Sequence, residues 1–160
     1  MKIILTFLTI LCFSGGFSQE KSFSSEALQD ILMTANGSQV TFDTVLKDHQ
    51  GKTVLIDIWA SWCKDCIAGF PDLQKLQKDN PDMNYVFLSL DKDTERWKAG
   101  IEKYNLQGSH YFIKSGWKGP LCSSINLDWI PRYILLDKTG KIKVYKAITT
   151  KDNQLLNQIQ

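Results

Sequence analysis

The sequence predicts an α/β fold in which a central mixed sheet carries helices on both faces. Three observations point to it. Residues 54–59 (VLIDIW) and 85–90 (YVFLSL) are apolar runs of strand length, rich in β-branched and aromatic residues, as strands buried on both faces are. Between them, Ile67, Phe70, Leu73 and Leu76 recur at a spacing of three, a helical pattern from about Lys64 that ends at Asn80-Pro81. Strand, helix and strand in this order make a right-handed parallel βαβ unit. Further on, residues 132–136 (RYILL) meet the turn Asp137-Lys138-Thr139-Gly140 and a stretch, 141–148, that begins by alternating at Ile142 and Val144. That is an antiparallel hairpin with a half-exposed outer strand.

The remaining elements follow in chain order. Residues 1–18 read as a secretory signal: Lys2 is a minimal positive start, residues 3–13 are apolar but too short to span a bilayer, and Gly16-Phe17-Ser18 suits cleavage before Gln19. A retained anchor is the competing reading. Lipid attachment at Cys12 is disfavoured by Leu11, where a small residue belongs. Residues 19–38 form a polar extension with a short amphipathic piece, 25–34 (Leu28, Ile31, Leu32), for which Ser25 is a candidate cap and Asn36-Gly37 a stop. The domain proper is expected over 39–160. It opens with a short strand at 40–42 and a brief helix, 44–49, capped by Asp43 and closed by Gly51. Pro71 should kink the central helix. A second helix is expected over 94–104 behind Asp93 or Thr94, and a closing helix in 151–160 from Leu155, Leu156 and Ile159. Residues 105–127 show no readable period.

Composition bounds the function. The chain has 160 residues, room for one domain with an adequate core. With 43% hydrophobic and 22% charged residues and a net charge of +2, it points to no nucleic-acid or membrane-surface partner. No internal repeat or low-complexity tract is visible. Four cysteines are too few for a disulfide-stapled scaffold.

The chemistry gathers at the end of the first strand. Cys63 and Cys66 form a C-x-x-C pair at the start of the helical pattern. At a helix N-terminus the free N–H groups and the dipole stabilise a thiolate and lower its pKa. Asp57 breaks the apolar strand, and a buried carboxylate there costs several kcal/mol unless it is paired, protonated or used. A structural disulfide or half a zinc site remains open for the cysteine pair, although zinc would have only Cys122, His49 and His110 to draw on.

Asp57-x-Trp59-Ala60-x-Trp62-Cys63-x-x-Cys66, with Pro71 five residues later, resembles the active-site signature of the thioredoxin superfamily. The longer stretch from Gly51 to Cys63, behind an export signal, is most similar to the TlpA/ResA-like thiol–disulfide oxidoreductases of bacterial envelopes. The resemblance runs from about Val40 to the C-terminus. It implies a thioredoxin fold, a redox-active Cys63–Cys66 disulfide and no cofactor or metal. Cys63 would be the nucleophile, Cys66 the resolving thiol, and Asp57 a buried acid beneath Cys66 that moves its proton; a salt-bridged Asp57 is the alternative. Pro131 would stand at the cis-proline position, leaving the Ile130 backbone to pair with an extended substrate. Trp62 would shape the substrate surface, while Trp59 points to the core. Lys64 and Asp65 replace the Gly-Pro of thioredoxin and act on the Cys63 pKa with opposite signs.

The implied partners are protein thiols and disulfides and a membrane-bound electron donor, with a monomer acting as a reductant in the periplasm or cell envelope. A dithiol oxidase and a redox-inactive peptide-binding module are the alternatives. A peroxidase is disfavoured, because Ala60 stands where that chemistry calls for Thr or Ser. Cys122 is expected as a small buried hydrophobe, or as a second partner for an active-site thiol if its loop folds back.

Overall fold

The computed structural model describes residues 22–159. The segment read as a signal, 1–18, with Cys12 and the cleavage point before Gln19, lies outside them.

Seven strands form one sheet, in the order β2-β1-β5-β4-β3-β6-β7. The centre is β3 (Val54–Trp59), every residue of which is buried. It runs parallel to β4 (Asn84–Ser89) through α3 (Lys64–Asp79) and antiparallel to β6 (Arg132–Leu136). β7 (Ile142–Ala147) closes one edge as the second arm of a hairpin. Gly140 in that turn has φ 85°, a conformation glycine adopts without a Cβ clash. α4 (Thr94–Lys103), capped by the Asp93 side chain, leads on to β5 (Ser109–Ile113), parallel to β4. α6 (Asn153–Ile159) buries Leu155 and packs beside β7.

Alternation along the strands sorts the side chains to two faces. Register aligns Asp57 with Phe87 on one side and Tyr133 on the other, so all three share a face. That face lies under α3 and α4: Trp59 packs edge-on against Phe70, and Phe70 against Tyr104. Arg132 points to the opposite face, where α5 (Pro120–Ser124) ends at Ile125, whose carbonyl accepts from the Arg132 guanidinium at 3.2 Å. The sheet therefore carries helices on both faces.

The N-terminal region differs from the expectation. Residues 25–34 are not one amphipathic helix: α1 (Ser25–Leu28) stops after four residues, capped by Ser24 rather than Ser25, and Ile31–Thr34 is strand β1. β1 pairs with both β2 (Gln39–Thr41) and β5, and these ladders override the weak helical period. The boundary expected at residue 39 thus cuts a hairpin that belongs to the sheet. α2 (Phe42–Asp48) starts earlier than expected because Thr41, not Asp43, accepts the capping N–H of Thr44. The unread stretch 105–127 holds β5 and α5. Only Ile113 of β5 is fully buried, so no apolar run or strict alternation marked it. Through Pro71 the central helix continues.

Candidate active site

The topology brings four chain segments to one end of the sheet. β3, β4 and β5 are parallel and finish together, and antiparallel β6 begins there, with Arg132 opposite Ile58. The loops after the three parallel strands and the loop before β6 therefore share the edge where open α/β sheets place their ligands.

Cys63 is the N-cap of α3. Its Sγ accepts the backbone N–H of Cys66 at 3.1 Å and is bonded to the Cys66 sulfur. The same N–H, with the dipole of a 16-residue helix, would stabilise a Cys63 thiolate once the disulfide opens. Cys66, one turn inward, has no exposed surface, and Cys63 is 5% exposed. An attacking thiol therefore meets Cys63 first.

Ile130-Pro131 comes against this sulfur, with the Ile130 carbonyl oxygen 3.5 Å from Cys63 Sγ. The bond between the two residues is cis. Trp59 is fully buried and Trp62 is 52% exposed. Lys64 and Asp65 border the same cleft as Trp62 and Cys63.

Asp57 lies in β3 on the face that α3 covers. Both carboxylate oxygens are buried without a hydrogen-bond partner, and burial pushes its pKa up to about 8. Among the described residues no lysine or arginine pairs with it, so the salt-bridged alternative finds no partner there. Tyr133, beside it in the register, is also raised, by burial first and by the Asp57 charge second. Cys122 is buried on α5, its thiol pushed up to about 12 chiefly by burial and further by Asp30. Among the described residues no three His, Cys, Asp or Glu side chains gather as a metal site, and no helix is long and apolar enough to cross a membrane.

Several residues of the site carry no local sequence signal. Trp117 and Trp129 reach the Cys63 cleft from the loops before α5 and before β6. Trp129 adjoins Ile130-Pro131, which was the available clue; Trp117 lies in the unread stretch. Asp91 accepts from the Ser61 N–H, the Ser61 hydroxyl (2.6 Å) and the Ser89 hydroxyl (2.9 Å), fixing the turn just before Cys63.

A thioredoxin-like family model matches residues 51–142, more than half of the chain. The chain belongs to that family. Its relatives include thioredoxin-like protein YneN of Bacillus subtilis, 32% identical over 102 residues, which are 61% of this chain and 58% of YneN. The thiol-disulfide oxidoreductase ResA of Bacillus thuringiensis is 26% identical over 157 residues, covering 91% of this chain and 87% of ResA. Among solved structures, the thioredoxin domain of a thiol-disulfide oxidoreductase from Bacteroides vulgatus superposes with a TM-score of 0.66 at 26% identity, covering 86% of this chain and 96% of that one. The protein is accordingly a thiol–disulfide oxidoreductase of thioredoxin fold, with Cys63–Cys66 as its cysteine pair.

Proposed function

We propose that the protein is an exported reductant of protein disulfides, with Cys63 as nucleophile, Cys66 as resolving thiol and Asp57 as the proton carrier. The observation that carries this is the placement of Cys63: a sulfur at a helix N-terminus, held 3.1 Å from the Cys66 N–H, at the only slightly open point of an otherwise buried pair.

In the reduced protein the Cys63 thiolate attacks one sulfur of a client disulfide. The Cys63–client bond forms, the client disulfide breaks, and its second sulfur leaves as a thiolate that water protonates. Cys66 then gives up its proton and attacks Cys63 Sγ. The Cys63–Cys66 bond closes, and the client cysteine leaves as a thiolate. The client gains two electrons and the protein loses two. Cys66 is fully buried, so a protein group is better placed than bulk solvent to take its proton. Asp57 lies on the face that α3 covers, and its pKa of about 8 is close to that of a thiol, which suits it to take up the Cys66 proton. The Ile130 carbonyl and Pro131 frame the client backbone, and Trp62 meets the client beside the sulfur.

Export and action in the periplasm or cell envelope rest on the signal pattern of residues 1–18. A reductant in an oxidising compartment needs a renewed source of electrons, hence a membrane-bound donor.

The test is the equilibrium reduction potential of Cys63–Cys66, followed by tryptophan fluorescence in dithiothreitol and glutathione buffers. A potential near about −270 mV supports the reductant; one near about −120 mV assigns a dithiol oxidant instead. A pair that does not titrate would leave a peptide-binding module.

A further inference from the structure

Five large hydrophobic side chains are exposed among the described residues: Ile31, Trp62, Trp117, Trp129 and Ile148. Scattered singly such residues mean little. Here three of the five, all tryptophans, line one cleft with Cys63 and Ile130. They come from three separate loops and are 52%, 38% and 57% exposed. Three half-exposed rings leave on the order of 300 Å² of aromatic surface in water.

Each of these loops is pinned by a buried charged side chain. Asp91 holds Ser61, next to Trp62, through the backbone N–H and the hydroxyl. Asp30 accepts from the Ser115 hydroxyl at 2.7 Å and from the Leu121 N–H at 3.0 Å, bracketing Trp117. Arg132 donates to the Ile125 carbonyl and pairs with Asp128, next to Trp129. The described chain buries four charged residues, Asp30, Asp57, Asp91 and Arg132. Burying a charge is costly, and its best-attested return is a fixed arrangement. Apart from Asp57, all of them are committed to the loops that carry these tryptophans.

We infer that Trp62, Trp117 and Trp129 form a rigid aromatic subsite that selects clients bearing an aromatic or large aliphatic residue next to the reacting cysteine. The inference rests on the redox reading above and deepens it. Its geometric basis is the near-burial of Cys63: a client sulfur must enter the cleft of about 330 Å³ to reach it, and the residues flanking that sulfur then lie on the indole rings. Trp117 and Trp129 are specificity-determining residues on this view. Tryptophan supplies large contact area at small entropic cost, and anchoring the loops beforehand lowers that cost further.

The experiment compares two cyclic peptides, each closed by its own disulfide and identical except that one cysteine is flanked by phenylalanine in one and by serine in the other. Reduced protein is mixed with each in a single turnover, and the second-order rate constant for opening the peptide disulfide is measured. Cys63 bonds to the flanked sulfur, the peptide disulfide breaks, and closure of Cys63–Cys66 releases the dithiol peptide. The expected result is a preference of tenfold or more for the phenylalanine peptide, falling to about one in Trp117→Ala/Trp129→Ala and recovering in Trp117→Phe/Trp129→Phe. Equal rates with the wild-type protein, or a preference that survives the double alanine variant, would overturn the proposal. So would a shift to dimer mass on sedimentation that Trp129→Ala abolishes, since the cleft would then be filled by a second copy. Failure of the oxidised wild-type protein to react even with dithiothreitol is a separate result: it would remove the redox reading, and this one with it.

Discussion

At the level of single residues, Asp57 couples the site to stability. Its carboxyl ionises near 3.8 when exposed and at about 8 in the fold. Between those values the unfolded chain has lost the proton and the folded protein has kept it, so stability falls as pH rises, by about 1.4 kcal/mol per unit at most. Below about pH 4 and above about pH 8 this contribution is flat. Asp57→Asn keeps the size of the side chain and removes the proton. The variant should match the parent near pH 4 and exceed it by a few kcal/mol above pH 8, as read by urea denaturation of the oxidised protein across that range. A constant difference at every pH would show that folding does not raise the Asp57 pKa. The same variant should slow the second step of exchange, because Cys66 loses its base. Cys122 offers a contrast. With its thiol pushed up to about 12 and fully enclosed, it holds almost no thiolate at neutral pH. Iodoacetamide at pH 8 should label Cys63 in the reduced native protein and spare Cys122 until the protein is unfolded, which peptide mapping will report.

Among the elements, the legible ones were those that carry their own signal. β3 and β4 are continuous apolar runs, α3 keeps an apolar spacing of three, and the β6–β7 hairpin is marked by Asp137–Gly140. β1 and β5 were not legible because each is half-buried and is made a strand by its partner: Leu32 opposite Ile113, Met33 opposite Phe112. The cysteine pair and Ile130-Pro131 could be found because their spacing and order are local. The convergence of Trp117 and Trp129 on Cys63 could not, since it depends on the strand order of the whole sheet. Asp91 illustrates the same limit, because it reaches across thirty positions to accept from the Ser61 N–H and hydroxyl. Asp91→Ala leaves the Ser61 N–H and two hydroxyls without an acceptor. It should cost about 1–3 kcal/mol of stability by urea denaturation. It should also raise KM for a disulfide peptide more than it lowers kcat, since Ser61 holds the turn that presents Trp62 without touching the reacting sulfurs.

For the molecule as a whole, the sheet has two open edges, and each is guarded differently. β2 is only three residues long, with Gln39 exposed, too short to template another strand. β7 is longer, at six residues, but its outward positions are Lys143 and Lys146, and Lys146 is paired with Asp128. Charged residues on an edge strand oppose the approach of a second sheet, because pairing would desolvate them. The aromatic cleft is then the remaining adhesive surface, and its rim carries Lys64 and Asp65. These features together predict a monomer in both redox states at micromolar concentration. Sedimentation velocity should give a single species of monomer mass, and Lys143→Val should introduce a concentration-dependent heavier one by unguarding β7. A wild-type dimer that persists when the cleft tryptophans are removed would locate an interface on a sheet edge despite its charges. A dimer lost on their removal would instead place it at the reacting sulfur, where it would compete with client disulfides for Cys63.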